Sequence, residues 1–352
     1  MRAVILKDSN RIDEAVSLII KVFFKGDIEK FILPNKTLVH KNIIIIENDD
    51  NLIVGTSIII DREIYFNRNI VKASLISFVC IDEKYRGFGL SRKLINCFID
   101  ESKKRKSVIS LVIARKIVDN FYNKFNFNGI SQYSKIKTSI DNIHVEQEFD
   151  FIHLNEKFHH EINKIYNLTY SKTHGAFLRN SNYWVYVDKK VKALGLKLQA
   201  VINKKICGYV IYDKNNIFEI ALNDNVNYLD VISQLVYQNK TNKNLSIHCS
   251  LDHPINFYTK NIDYSITNRQ CKYGGHMIRI NDLIYLKKNF LKQVEMNNKV
   301  IEKFKTEIMK LEFKNLNYEN LSLLAFSNIL SNSKYSQQSF SKSFNIPLMD
   351  QI

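Results

Sequence analysis

Apolar positions in the first part of the chain change between a helical and a strand spacing. After the polar start Asp8-Ser9-Asn10, apolar residues recur every three or four positions and predict a helix that runs to about Phe24. Two β-branched runs, Asn42–Glu47 and Leu52–Asp61, flank the polar stretch Asn48-Asp-Asp-Asn51 and predict a hairpin.

The same patterns continue to about residue 140. Further strands are expected at Arg2–Leu6, Ile64–Phe66, Val71–Ile81, Val108–Ala114 and Ile130–Lys137. Further helices are expected at Leu90–Glu101 and Ile117–Phe125. Strands that come first, with helices packed on their sheet, are typical of the α+β class. We therefore expect a mixed, mostly antiparallel sheet flanked by helices.

A polar stretch, Ser139–Glu148, separates this part from a second mixed segment. A helix is expected to begin there near Phe158, with strands at Gln199–Asn203, Ile206–Asp213 and Ile217–Leu222. The hairpin strand Asn51–Asp61, with a glycine near its start and an aspartate at its end, is echoed by Lys204–Asp213. This echo alone is weak evidence for a duplicated fold. We expect three domains, at residues 1–140, 150–275 and 276–352.

The last domain contains two expected helices. One carries a basic face and an apolar stripe, formed by Val294, Ile301, Phe304, Ile308 and Leu311. The stripe either packs on a core or docks on a membrane surface or a partner, and the pattern favours core packing. A more apolar helix, Leu321–Leu330, is followed by a polar loop, Ser331–Phe344.

Composition excludes some classes of protein. The 352 residues are 45% hydrophobic and 24% charged, which is ordinary for a globular protein. No apolar run is long enough to span a membrane, and the N-terminus reaches Lys7 and Asp8 too early for a signal peptide. Five cysteines without a CxxC pair indicate a reduced, cytoplasmic protein without a metal site.

The net charge of +16 suits an anionic partner such as nucleic acid or a phosphorylated cofactor. However, the lysines are spread along a chain rich in Asn and Ile, as AT-rich coding alone would produce. No basic cluster interleaves with aromatic residues, so nucleic-acid binding is not expected.

The segment Phe78-Val-Cys-Ile-Asp-Glu-Lys-Tyr-Arg-Gly-Phe-Gly-Leu-Ser91 joins a strand to a helix. Glycines 87 and 89 let the backbone approach a ligand closely, and N–H groups at a helix start bind phosphate. The segment is not a P-loop, because no GKS or GKT follows, and it lacks the third glycine of a dinucleotide fingerprint. Glycine pairs at strand–helix turns are common, so the segment by itself is weak evidence for a phosphate site.

Two motifs together resemble the GNAT (GCN5-related N-acetyltransferase) superfamily. They are Arg86-Gly-Phe-Gly-Leu-Ser91 and, after a further strand, Asn120-Phe-Tyr-Asn-Lys-Phe-Asn-Phe127. The resemblance covers about residues 1–138 and implies an acetyl-CoA site without a metal. Its cofactor-binding residues would be Val79, Cys80, Ile81, Arg86, Gly87, Phe88, Gly89, Leu90 and Ser91.

Three positions depart from the family pattern. Lys84 stands where Gln or Arg is usual, Lys116 where an asparagine often contacts pantetheine, and Asn126 where glycine is usual. The expected phosphate site uses backbone N–H groups, so these substitutions leave it unaffected. The expected contact with pantetheine does depend on a side chain, and Lys116 changes it.

Beyond the first domain, the chain resembles the Eis-like branch, which joins two GNAT-type folds. The matching segments are His174-Gly-Ala-Phe-Leu-Arg179 with Trp184, Gly208-Tyr-Val-Ile-Tyr212, and Gly274-Gly-His-Met-Ile-Arg-Ile280. This resemblance implies tandem GNAT-like domains, one active site, a shortened C-terminal domain and a homo-oligomer. The second copy has no RGxG-like turn, and Trp184 is expected to pack in its core.

The resemblance also implies catalytic roles. Tyr122 would protonate the leaving thiolate as a general acid, although its sequence neighbours also suit a core aromatic. Phe78 would line the acceptor pocket, and the carboxylate at Ile352, or else Asp350, would take the amine proton. Cys80 has no histidine nearby in sequence, so we expect a packed thiol there rather than a nucleophile.

The function implied is transfer of acetyl from acetyl-CoA to a primary amine in a ternary complex. The acceptor would be a small molecule or a lysine side chain. The alternative is a non-catalytic acyl-CoA-binding or scaffolding protein that keeps the fold.

Overall fold

The computed structural model describes residues 1–33, 37–66, 69–114, 119–129, 131–139, 146–239, 244–250, 252–258, 264–271, 275–286, 288 and 348–350. Its strands are β1 Ala3–Ile5, β2 Ile43–Glu47, β3 Ile53–Phe66, β4 Asn69–Ile81, β5 Ile109–Ala114, β6 Asn128–Gly129, β7 Ser131–Ser139, β8 Asp150–His153, β9 Lys197–Asn203, β10 Lys205–Tyr212, β11 Asn216–Leu222, β12 Asn244–Cys249, β13 Tyr264–Cys271 and β14 Gly275–Ile280. Its α-helices are α1 Ile12–Phe24, α2 Leu90–Lys104, α3 Asp119–Asn123, α4 His159–Tyr170, α5 Ser181–Ala193, α6 Tyr228–Asn239 and α7 Ile255–Tyr258. The expected C-terminal helices and polar loop lie outside the described residues.

The first helix forms where the apolar spacing predicts it. Asp8 accepts a hydrogen bond from the backbone N–H of Asn10 and starts a short 3₁₀ turn that leads into α1. The helix ends at Lys25 and Gly26, whose positive φ angles of 53° and 91° stop the helical hydrogen bonding. Its buried face packs on the sheet.

Both faces of the first sheet are covered. In β2, Ile43 and Ile45 pack in the cluster that contains α1, whereas Ile44 and Ile46 pack in the cluster that contains α2. This explains why β2 is a continuous apolar run instead of an alternating one. The predicted strands Leu52–Asp61 and Ile64–Phe66 are one long strand, β3, because its register with β4 continues through Arg62 and Glu63.

The two sheets have the same architecture. The first has the order β1-β2-β3-β4-β5-β14-β6, and the second, read from its other edge, has the order β8-β9-β10-β11-β12-β7-β13. In each sheet the fourth and fifth strands pair in parallel, and the other neighbours are antiparallel. The expected α+β fold with two copies of a mixed, mostly antiparallel sheet is therefore confirmed.

The two sheets exchange one strand each. Ser131–Ser139 follows the first sheet in the chain but lies between β12 and β13 of the second, and Gly275–Ile280 lies between β5 and β6 of the first. The boundary at 140 assigns Ser131–Ser139 to the first domain, although this strand pairs in the second sheet, and the boundary at 276 assigns residues 276–280 to the C-terminal domain, although they pair in the first sheet. The strand pattern of a segment identifies a strand, but the choice of partner is made by contacts remote in sequence.

No helix in the described part of the chain is both long and apolar enough to cross a membrane.

Candidate active site

A bulge interrupts β4 near its end. Ser77 pairs with Ile58 and Cys80 pairs with Thr56, so Phe78 and Val79 together face a single residue of β3. Phe78 takes a φ angle of 52°, a left-handed conformation that is uncommon for a bulky residue. The bulge therefore re-aims the last residues of β4.

The parallel pairing of β4 with β5 stops just before this bulge. Residues 73–76 of β4 pair with residues 109–112 of β5, and the last pair is Ile76 with Val112. Beyond it, Ile113 and Ala114 still pair with β14 on the other side. Beyond the Ile76–Val112 pair, β4 and β5 have no further pairing among the described residues, and these unpaired strand ends are here called the opening.

The turn after β4 leads directly into α2. Gly87 and Gly89 have φ angles of 88° and 71°, and a Cβ atom built on either would meet no atom within 4 Å. Residues 86–89 are exposed, whereas Leu90 is buried beneath the first turn of α2. Backbone N–H groups at this helix start are therefore accessible to an anion.

Side chains hold the turn in place. Asp82 accepts a hydrogen bond from the backbone N–H of Lys84 at 3.1 Å and forms an ion pair with Lys21 of α1 at 2.9 Å. These contacts hold the pKa of Asp82 below its usual range, with the Lys21 hydrogen bond as the largest cause. Arg86 is exposed, and its Nε donates weakly to the carbonyl of Ile81 at 3.4 Å. Positive charge therefore lies beside the glycines.

The structure describes two of the three residues that differ from the family pattern. Asn126 has a φ angle of 61°, so it takes the left-handed conformation that makes glycine usual there. The side chain of Lys84 is exposed, and Lys116 lies outside the described residues.

Tyr122 lies on α3, buried on the α2 side of the sheet. Its exposed fraction is 8%, and its ring packs edge-on against Phe121 and Phe127. Ile76 belongs to the same cluster, and Val79 packs against it, so Tyr122 shares the hydrophobic environment of the strand opening. Burial raises the pKa of Tyr122 to about 12, so the hydroxyl keeps its proton at neutral pH.

Phe78 packs on the α1 side of the sheet. Its ring lies 5.5 Å from that of Phe23, 5.9 Å from Phe24 and 5.6 Å from Phe31, measured between centroids. Phe23 is 38% exposed, so this group of four rings, the aromatic wall, has an open edge.

Cys80 is a packed thiol, as expected. It is 3% exposed, and burial raises its pKa to about 12, against opposing effects from a backbone hydrogen bond with Thr56 and, after it, from the charge of Arg86. A thiol held neutral in this way is a poor nucleophile.

The corresponding opening of the second sheet is filled by the chain itself. β11 and β12 pair only at Asn216 with Ser246 and at Ile217 with Ile247. Beyond these pairs, the buried ring of His253 donates from Nε2 to the carbonyl of Ile220 at 2.9 Å.

His253 is held neutral in this position. Its Nδ1 accepts from the backbone N–H of Ile255, and burial lowers its pKa to about 4. The hydroxyl of Tyr228 also caps the backbone N–H of Leu222 at 3.3 Å. The sequence analysis did not predict that His253 and Tyr228 occupy this position. The available signal was the absence of glycine between β11 and α6.

The two predicted bases, Ile352 and Asp350, and the predicted core residue Trp184 are remote in sequence from the turn after β4. Ile352 lies outside the described residues, so its role stays a prediction. Asp350 is fully buried in the second domain, where Arg179 and Tyr166 contact its carboxylate. Trp184 is buried in the core of that domain, as predicted. Among the residues that the structure describes, no three His, Cys, Asp or Glu side chains are grouped to hold a metal ion.

Residues 6–130 match the sequence model of a family described as "Acetyltransferase (GNAT) domain". No curated protein sequence matches the chain significantly. Residues 6–130 are therefore similar to a GNAT acetyltransferase domain, in agreement with the resemblance of the two motifs.

Solved structures share the fold over both sheets. A GCN5-related N-acetyltransferase from Anabaena variabilis is similar with a TM-score of 0.63 at 16% identity, covering 81% of this chain and 74% of that one. A probable N-acyltransferase from Enterococcus faecalis has a TM-score of 0.64 at 15% identity, covering 79% and 72%. Eis1 from Mycobacterium abscessus has a TM-score of 0.61 at 10% identity, covering 82% and 76%. The two-domain fold is thus that of GNAT acyltransferase structures, including an Eis protein.

Proposed function

We propose that this chain is an N-acetyltransferase that moves an acetyl group from acetyl-CoA to a primary amine by direct attack in a ternary complex. The observation that carries the proposal is the opening between β4 and β5, which lies beside an accessible glycine turn at a helix start. A GNAT domain match over residues 6–130 supports the same class of donor.

The first domain fits acetyl-CoA in two places. Backbone N–H groups of residues 87–91, with the charge of Arg86, would hold the pyrophosphate, and the space above both glycines leaves room for close approach. Backbone groups of Val79, Cys80 and Ile81, past the bulge, would hold the pantetheine arm and polarise the thioester carbonyl.

The reaction requires two proton transfers. The amine nitrogen bonds to the thioester carbon as the C–S bond breaks, so the amine loses a proton and the leaving thiolate gains one. Tyr122 is proposed as the general acid for the thiolate, because it is protonated at neutral pH and its ring lies in the cluster that borders the opening. Ile352 is retained as the predicted base, since both carboxylate oxygens of Asp350 are already engaged.

The acceptor is proposed to bind on the α1 side, at the aromatic wall. Phe78 belongs both to this wall and to the bulge, so an amine held there would lie beside the last residues of β4. The acceptor would be a small-molecule amine or a lysine side chain. A cytoplasmic location and a homo-oligomeric assembly stay predictions.

Release of free thiol from acetyl-CoA, measured with a chromogenic disulfide, tests the proposal. The amines would be polyamines, aminoglycosides, amino sugars, amino acids and lysine peptides. Amine-dependent release that is lost in Tyr122→Phe is the expected result. Stabilisation by acetyl-CoA without release from any amine would favour a non-catalytic acyl-CoA-binding protein, and the absence of both effects would reject an acetyl-CoA site.

A further inference from the structure

The short segment Leu348–Asp350 is buried in the second domain. Met349 and Asp350 have exposed fractions of 1% and 0%. Oδ1 of Asp350 accepts from Nε of Arg179 at 2.9 Å, and Oδ2 accepts from the hydroxyl of Tyr166 at 3.1 Å. A carboxylate from near the end of the sequence therefore lies in the core of a domain formed much earlier in the chain.

The second domain orients Arg179 for this contact. Its two terminal nitrogens donate to the two carboxylate oxygens of Glu219 at 2.6 and 2.8 Å, which leaves Nε directed at Asp350. Tyr209 donates to Glu219 at 2.6 Å, and the ring of Tyr166 lies 3.9 Å from the guanidinium carbon. Apart from Asp350, every group in this arrangement belongs to the second domain, which therefore supplies the whole receptor.

A second cation contacts the same segment. Nζ of Lys190 on α5 donates to the backbone carbonyl of Met349 at 3.1 Å. With Lys190 protonated, two cations face the two carboxylates of Glu219 and Asp350, and the formal charges of the four groups cancel. The buried segment thus completes a charge balance that the second domain alone leaves positive by one.

Burying the ion pair of Arg179 and Asp350 removes both charges from water, and this desolvation cost argues against a role in stability alone. Buried ion pairs commonly stabilise a fold no more than apolar residues of the same size would, whereas they do fix register and specificity. Apolar packing alone could hold Met349 at several depths, but the contacts of Asp350 define one position for the segment.

The receptor lies close to the acceptor side of the first domain. Backbone hydrogen bonds join Tyr65 of β3 to Gly175 and Ala176, just before Arg179. Ile32 packs against the cluster that contains Met349, and its neighbour Phe31 is part of the aromatic wall around Phe78. The cluster that holds Met349 therefore also packs against the segment that carries this wall.

We propose that Arg179, Glu219, Tyr166 and Lys190 form a docking site for the chain's own segment Leu348–Asp350, and that Asp350 is a positioning residue for acceptor binding at the aromatic wall. The docking stands on the contacts alone, whereas its effect on acceptor binding rests on the proposed function.

The test compares Asp350→Asn with the wild-type full chain in two measurements. Hydrogen–deuterium exchange is expected to rise in the peptide around residues 345–352 and to stay unchanged in α5 and β11. In steady-state kinetics, kcat/KM for the amine is expected to fall by about tenfold or more, while the dissociation constant of acetyl-CoA stays the same. Unchanged exchange in the tail peptide would overturn the docking, as would a rise spread over the whole second domain.

Tyr166→Phe provides an independent check, because it removes one hydroxyl and keeps the ring. Tyr166→Phe is expected to raise tail exchange in the wild-type background and to add nothing in the Asp350→Asn background. Additive effects would show that Tyr166 does not act through Asp350, and would count against the docking site. Normal amine kinetics in a variant with an undocked tail would overturn the positioning role. Absence of amine turnover in the wild type would instead reject the proposed function, and the exchange measurement would still test the docking.

Discussion

Ile76 of β4 lies opposite Val112 of β5, and this is the last pair at which the two strands are joined. The bulge at Phe78 and Val79 follows within three residues, and beyond it β4 still pairs with β3. The opening, the glycine turn and Tyr122 all lie at this end of the sheet. This pair of residues therefore marks the place at which the thioester is proposed to bind.

Tyr122→Phe tests the general acid. Removing the hydroxyl is expected to lower kcat by about a hundredfold or more, because no other proton donor is proposed for the thiolate. The affinity for acetyl-CoA is expected to stay the same, since the ring and its packing against Phe121 and Phe127 are kept. Stopped-flow or steady-state thiol release, with calorimetric titration of acetyl-CoA, gives both values. An unchanged kcat would assign Tyr122 to packing alone.

Gly89→Ala tests the phosphate cradle. The φ angle of 71° makes alanine strained there, and the new methyl group would project into the space assigned to the pyrophosphate. Gly195 offers a matched control, because it has a φ angle of 66°, equally open surroundings and a position after α5 in the second domain. Both variants are expected to lose about 1–2 kcal/mol of stability, and only Gly89→Ala is expected to weaken acetyl-CoA binding. Equal binding by the two variants would contradict the cradle.

The thiol of Cys80 is expected to be unreactive in the native protein. Its raised pKa and burial predict that a thiol reagent will not label it in the native protein, in contrast to the half-buried Cys97 on α2. Mass spectrometry of peptides after brief alkylation measures this difference. Cys80→Ala is expected to retain turnover with a modest loss of stability, and loss of turnover with normal acetyl-CoA binding would argue for an acyl-cysteine step.

Lys190 predicts a pH dependence of stability. Burial is the largest cause that lowers its pKa to about 8, from 10.5 in an unfolded chain, while Asp350 and Glu219 oppose the shift and Arg179 reinforces it. Between these values the unfolded chain binds a proton that the folded chain does not, so the contribution of Lys190 to the free energy of unfolding rises with pH in this window, whereas the buried thiols of Cys80 and Cys249, whose pKa values are raised, contribute with the opposite sign in every variant. The rise corresponds to about 3 kcal/mol over the whole window.

Lys190→Met should remove this rise. Lys192→Met is the control, because Lys192 is on the same helix but exposed and paired with Asp188. Urea unfolding between pH 7.5 and 9.5 measures the slope, below the range in which tyrosines ionise. Identical slopes for the two variants would show that Lys190 is not buried as a titrating group.

Local sequence patterns were sufficient for much of the first domain. The polar start and apolar spacing predicted α1, and the β-branched runs predicted the meander, because helix and strand periods depend on residues close in sequence. The motif Arg86-Gly-Phe-Gly-Leu-Ser91 predicted a turn open to a ligand, since a positive φ angle is a property of glycine itself.

The sequence by itself therefore determined most strands and helices of the first domain, the glycine turn and the resemblance to GNAT proteins. Only the tertiary structure decided that β7 and β14 exchange sheets, that His253 fills the second opening, and that Asp350 meets Arg179. Each of these depends on pairing between segments far apart in the chain. Such pairing is selected by burial and charge compensation in the folded state, and no local spacing encodes it.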